Sequence, residues 1–200
     1  LRPCTVPNTA LNLYDSGAVD IVWDKELVPA DLIDVLKTRP SFHSADYLGT
    51  YFIRFNVTKK PYNDVRVRKA ISLALDKKRV VERITKAGEK AAYQFVPPGV
   101  ANYESPQGLG YDPDEARKLL AEAGFPGGAG FPSISYLYNA SQPNEKIAVE
   151  IQQMLKTELG LKIELRPREW KTWLRAQFEL DYDLCRSSWI GDYNDPNTFL

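Results

Sequence analysis

SISYLYNASQPNEKIAVEIQQMLKTELGLKIELRPR, residues 133–168, is the stretch on which the fold turns. Its first seven residues are aromatic and apolar enough for a strand. Ser141 stands where a helix N-cap belongs. Behind it Ile147, Ile151, Met154, Leu155 and Leu159 recur at helical spacing until Gly160 closes the run. Leu161, Ile163 and Leu165 then alternate as a second strand. A strand–helix–strand unit of this kind predicts a right-handed crossover between parallel strands.

The neighbouring segments extend the pattern. In GYDPDEARKLLAEAGF, residues 110–125, Asp112 caps a helix, Pro113 takes its first position, Glu115 completes a capping box and Gly124 ends it. Asp64 and Asp76 are N-caps for VRVRKAISLAL and KKRVVERITKAG, the latter ending at Gly88. GTYFIRFN, residues 49–56, predicts a central strand. Residues 89–111, rich in proline, glycine and aromatic side chains, predict a long irregular crossing. Earlier in the chain, NTALNLYDSG predicts a short helix capped by Asn8, and AVDIVW a short strand. Pro29 opens a helix with Leu32, Val35 and Leu36 on one stripe. Towards the end, EWKTWLRAQFEL places Trp170, Trp173, Leu174 and Phe178 at helical spacing, and DYDLCRSS predicts a last strand. The expected architecture over residues 1–200 is one α/β domain, a mixed or mostly parallel sheet flanked by helices.

Bulk composition narrows the function. The chain is 44% hydrophobic and 26% charged, with 26 basic against 26 acidic residues. That balance offers no global field to draw in nucleic acid or an anionic membrane. No apolar run approaches the roughly 20 residues that span a bilayer. One histidine, His43, and two cysteines far apart, Cys4 and Cys185, supply no metal-ligand spacing, so neither a metal nor a cofactor is expected. The two cysteines are compatible with a single disulfide or with two separate thiols. Without an initiator methionine or a signal peptide, the chain reads as part of a larger protein. Glycine-rich phosphate loops, G-x-S-x-G elbows and cysteine–histidine pairs are all missing from the sequence.

In open α/β sheets ligands gather beyond the carboxyl ends of the strands. The loops after Asn139, after Arg168 and after the last strand qualify, and they bring Asn139, Trp170, Arg186, Trp189, Asp192 and Tyr193. Flat aromatic faces with one carboxylate and one guanidinium suit a ligand that has an apolar body, a cationic end and an anionic end. A free peptide has both ends. Each residue also has a plainer reading: Asp195 as the N-cap before Pro196, Asp192 as a turn brace, Trp189 and Trp173 as core, Arg186 as a partner of Asp181 or Asp183, the 66–69 basic run as a solvated helix face.

The segments LGTYFIRFNVTKKPYNDVRVRKAISLALDKKRVVERI, DPDEARKLLAEAGF, SYLYNASQPNEKIAVEIQQMLKTELGLKIELRPREWKTWL and YDLCRSSWIGDYNDPNTFL, in this order, resemble bacterial oligopeptide- and dipeptide-binding proteins. These are the extracytoplasmic solute-binding subunits of ABC importers. The resemblance covers nearly the whole chain. It implies one lobe of a two-lobed periplasmic-binding-protein fold, working with an N-terminal lobe, a short peptide ligand and membrane permease subunits. It also implies a periplasmic or otherwise extracytoplasmic location, lipoprotein anchoring being open, and no enzymatic activity. By the same resemblance, Asp192 in the W-x-x-D-Y pattern after Trp189 binds a ligand's α-amino group, Arg186 meets its carboxylate, and Trp170 walls a side-chain pocket. Two positions depart from a typical oligopeptide binder: Arg54 stands in place of an acidic residue and Asn144 in place of a histidine near longer ligands' carboxylates. Family relatives that carry nickel complexes, haem or oligosaccharides are the alternatives. A docking lobe without ligand and a carbohydrate-active enzyme using Asp192 stand further off.

Overall fold

A computed structural model describes residues 3–200, apart from the side chain of Lys25. Four strands form one sheet: β1 (Gly49–Phe55), β2 (Ile134–Asn139), β3 (Ile163–Arg168) and β4 (Leu184–Ile190), in the order β1-β4-β2-β3. β2 runs parallel to both β3 and β4, and β1 runs antiparallel to β4, so the sheet is mixed. The crossover of residues 133–168 joins parallel strands, as expected: β2 leads through α6 (Gln142–Leu159) into β3. Ser141 accepts from the amide of Asn144 at its start, and Gly160, at φ +68°, ends it.

Helices cover both faces. On one, α3 (Val65–Leu73), α5 (Pro113–Glu122) and α6 enclose the main core. There Val67, Ile71, Leu120, Leu155 and Leu159 pack on Ile134, Tyr136 and Leu184 of the strands. On the other, α7 (Trp170–Phe178) lays Trp173 and Ala176 against Leu137, Tyr182 and Cys185. β2 is therefore buried on both sides, as a strand between two helix layers must be. The caps at Asp64, Asp76, Asp112 and Asp195 all accept backbone amide hydrogens, as expected. Between Thr85 and Pro113 no helix or strand forms, in keeping with the irregular crossing.

Several local expectations need correction. AVDIVW is not a strand: no partner lies beside it, and Trp23 is 88% exposed. Its β-propensity had nothing to pair with. Helix α1 (Pro7–Asp15) starts at Pro7, whose missing amide suits the first position, and its cap is Val6 rather than Asn8. After Pro29 the chain makes a 3-10 turn (Ala30–Leu32) before the short α2 (Ile33–Leu36). Ile33 and Leu36 are buried, whereas Leu32 and Val35 face solvent. GTYFIRFN is the edge strand β1, not a central one. The helix capped by Asp76 begins as α4 (Lys77–Arg79), widens into a π-helical turn (Val80–Thr85) and stops at Lys86, two residues before Gly88. On α7 the aromatic stripe divides, Trp173 inward and Trp170 and Phe178 outward. Both cysteines are free thiols.

Two predictions follow from packing. A Cβ at Gly160 would stand 2.3 Å from the carbonyl oxygen of Gly127, in a left-handed conformation besides. Gly160→Ala is therefore expected to cost about 2 kcal/mol or more in urea denaturation. Burial pushes the Cys185 thiol up to about 11. Alkylation at pH 8 is expected to leave Cys185 untouched in the native protein and to modify it once denaturant is added, read by peptide mass spectrometry.

Candidate functional site

Because β2, β3 and β4 are parallel, their carboxyl ends open on one edge of the sheet, and antiparallel β1 contributes its amino end, Gly49 and Thr50, to the same edge. Asn139, Arg168, Trp170, Trp189 and Asp192 therefore cluster there by topology. The β2–β4 ladder has only two pairs, Tyr136 with Leu184 and Leu137 with Cys185. Arg186 is the next residue of β4, just beyond the last pair.

That position makes Arg186 unusual. The residue is 5% exposed, yet its Nε has no hydrogen-bond partner. Its guanidinium lies 4.9 Å from the ring centre of Tyr51 and 5.8 Å from that of Trp173. The nearest carboxylate, Glu26, is 3.9 Å away, a Coulomb contact too long for a charge-assisted hydrogen bond. Asp181 and Asp183, the plainer partners for Arg186, are taken by Arg166 and Lys59. Beside it lie the buried hydroxyls of Tyr51 and Tyr136, which fall short of good hydrogen-bond geometry although Tyr51 is close enough to interact with both Tyr136 and Arg186. Burial raises both of their pKa values, while the charge of Arg186 pulls that of Tyr51 back.

Arg186 borders a cavity of about 70 Å³ with Glu26, Tyr51, Ile33 and the first turn of α6, from Pro143 to Ile147. Asn144 lines it but is buried and committed: its amide donates to both the backbone carbonyl and the side-chain oxygen of Asn139. The pair braces the turn from β2 into α6. A larger open cleft, about 740 Å³, adjoins across Glu89. Its charges pair among themselves and with near neighbours: Lys86 with Asp34, Lys78 with Glu82, Lys90 with Asp46.

Further along, Trp189 and Tyr193 are about half exposed. Trp170 is 51% exposed and stacks on buried Trp173 at 4.7 Å, so one of its faces stays free. Asp192 is exposed. Its backbone amide donates to Thr198 Oγ1, and among the described residues its carboxylate has no partner. It neither caps a helix nor turns into the core; Asp195 does the capping. This turn is held from behind, where Asn194 accepts from the amide of Ala101 and Phe199 packs with Val96 and Val100 of the crossing segment. Arg54 is not brought here. It pairs in register with Cys185, at the amino end of β4, and its guanidinium lies over Phe52 on the exposed edge strand. Sequence reading passed over Tyr51 and Glu26. Strand alternation with Ile53 and Phe55 was a signal for Tyr51 on the core face, but nothing in the sequence couples Glu26 to Arg186.

The chain is similar to several known proteins. A relative is the periplasmic oligopeptide-binding protein OppA of Salmonella typhimurium, 35% identical over 99% of this chain and 37% of its own. The periplasmic murein peptide-binding protein MppA of Escherichia coli is 34% identical over 99% of this chain and 38% of its own. A solved periplasmic oligopeptide-binding protein from Borrelia burgdorferi superposes with a TM-score of 0.91 at 34% identity, covering 98% of this chain and 39% of that one. The chain thus spans less than two fifths of the length of these relatives. The family model of bacterial extracellular solute-binding proteins, family 5, middle region, matches residues 2–200, and with that match the chain belongs to this family.

Proposed function

We propose that this chain is the peptide-holding lobe of an extracytoplasmic solute-binding protein that delivers short peptides to an ABC permease. One observation carries the reading. A buried guanidinium without a hydrogen bond at Nε lies six residues before an exposed carboxylate without a partner, at the carboxyl edge of one sheet. A buried cation in this state is costly unless an anion joins it. The first turn of α6 borders the same cavity, and the positive end of its dipole adds to the pull on an anion. Asp192 takes the ligand's α-ammonium, Arg186 its carboxylate, and Trp189, Tyr193 and the free face of Trp170 give apolar walls that tolerate varied side chains. Asn139 and Asn144 shape the turn between them. Arg54 faces elsewhere and has no part in this contact set.

The names of the relatives, oligopeptide- and murein peptide-binding, support a peptide over a nickel complex, haem or a sugar. They equally support a binding protein over an enzyme, and a ligand-holding lobe over one that only docks. The remaining length in those relatives supports a second lobe that closes over the ligand and signals the permease.

In the full-length protein, Asp192→Asn is expected to weaken binding of a free peptide by roughly 2–5 kcal/mol in calorimetry. N-acetylated peptide should bind the parent protein poorly and lose little more in the variant. Equal losses for free and acetylated peptide would remove Asp192 from the ligand's amino end. The isolated 200-residue chain, unable to enclose a ligand, is expected to bind the same peptide no more tightly than about 1 mM, near −4 kcal/mol. A micromolar titration would count against the two-lobed account.

A further inference from the structure

Among the described residues, Glu26 is the one acidic group of the Arg186 cavity that no hydrogen bond occupies. Of the charged residues around that cavity, Lys146 is paired with Asp31 at 2.5 Å, and the carboxylate of Glu89 accepts from Thr85 Oγ1 and the amide of Ala87. Among the described residues the carboxylate of Glu26 has only Arg186, at 3.9 Å, about 1 Å longer than an ionised hydrogen bond. The Glu26 side chain is one third exposed, whereas that of Arg186 is almost fully buried, so the acid reaches in from the rim towards a fixed cation.

The segment that carries Glu26 is lightly built. A three-residue 3-10 turn, Lys25–Leu27, follows an irregular stretch that exposes Ile21 and Trp23. The turn is held by Asp24, which accepts from the amides of Glu26 and Leu27. A segment with so few buried contacts yields at small cost. Below it, Pro29 and Ile33 are buried and anchor the chain.

From this geometry we infer that Glu26 is an internal stand-in for the ligand's carboxylate and a determinant of ligand selectivity at the Arg186 subsite. The inference rests on the reading of Arg186 as the carboxylate anchor. In the empty protein Glu26 supplies a loose counter-charge that makes the buried guanidinium tolerable. An incoming carboxylate must displace it and remain near its negative charge. A ligand end without charge meets no such competition. Glu26 thus narrows the preference of the subsite for free acids over neutral ends, and ligands of either kind are accepted more evenly than Arg186 alone would allow.

The test uses the full-length protein and one peptide in two forms, free acid and C-terminal amide, titrated into the parent and into Glu26→Gln and Glu26→Ala. The expected result is that both variants bind the free acid about tenfold more tightly and the amide unchanged, so the acid-to-amide ratio rises about tenfold. An unchanged ratio, or weaker binding of the acid, overturns the inference, because a purely structural Glu26 would move both forms together. Arg186→Ala separates the two levels of the argument. If it leaves the parent's binding of the free acid intact, the anchor itself is misassigned. If it abolishes the rise seen in Glu26→Gln, the two residues act at one subsite as inferred.

Discussion

The β2–β4 ladder stops after two pairs, and the proposed site is built around the residue that comes next. That residue of β4, beyond the last pair, is Arg186. The side chain sits between Tyr51 on one side of the sheet and Trp173 on the other. Burial of a charge costs several kcal/mol even after relaxation. Two aromatic faces recover a part of that, each by about 1 kcal/mol or somewhat more when desolvated. A carboxylate at 3.9 Å recovers less than one in hydrogen-bond contact. The buried guanidinium is thus only loosely compensated by the groups around it, which is the basis for proposing it as an anion anchor.

The surroundings divide into stiff and yielding parts. Arg186 belongs to a strand fixed by β1 along all seven of its residues. Asn144 and Asn139 lock the turn into α6, and Trp173 anchors Trp170 by stacking. The Asp192 turn is secured from behind by the long crossing segment: Thr50 donates to the carbonyl of Phe95, Phe95 packs edge-on against Phe52 and Phe199, and Asn194 holds Ala101. An irregular stretch of chain thus serves as a buttress. Against these fixed groups stands the segment before Pro29, with one short turn and exposed apolar side chains. The residues proposed to meet the ligand's ends, Arg186 and Asp192, sit on braced elements, and Glu26, proposed to compete with the ligand, sits on a segment with fewer supports.

Helix starts were legible because capping is local. Asp64, Asp76, Asp112, Ser141 and Asp195 each bond an amide two or three residues ahead, and no distant contact is needed. The α6 crossover was legible for a similar reason, since its apolar stripe and the alternation of β3 are written in consecutive residues. Strand positions were not. GTYFIRFN has the composition of an inner strand but lies at the edge, and AVDIVW has strand composition and no partner at all. Strand pairing is decided by which segment arrives alongside, and aromatic or β-branched residues favour any such neighbour alike.

The same division holds in the site. By itself the sequence determined most of the caps, the inward stripe of α6, the parallel crossover and, through its likeness to peptide binders, which acid and which arginine to consider. Only the tertiary structure decided that Arg186 is withdrawn from water while Asp192 stays in it, that Arg54 lies at the far end of its strand, and that Glu26 meets an arginine distant in sequence. Burial and charge pairing are properties of the space between segments, and the spacing of residues along a chain records only what each segment does within its own few turns.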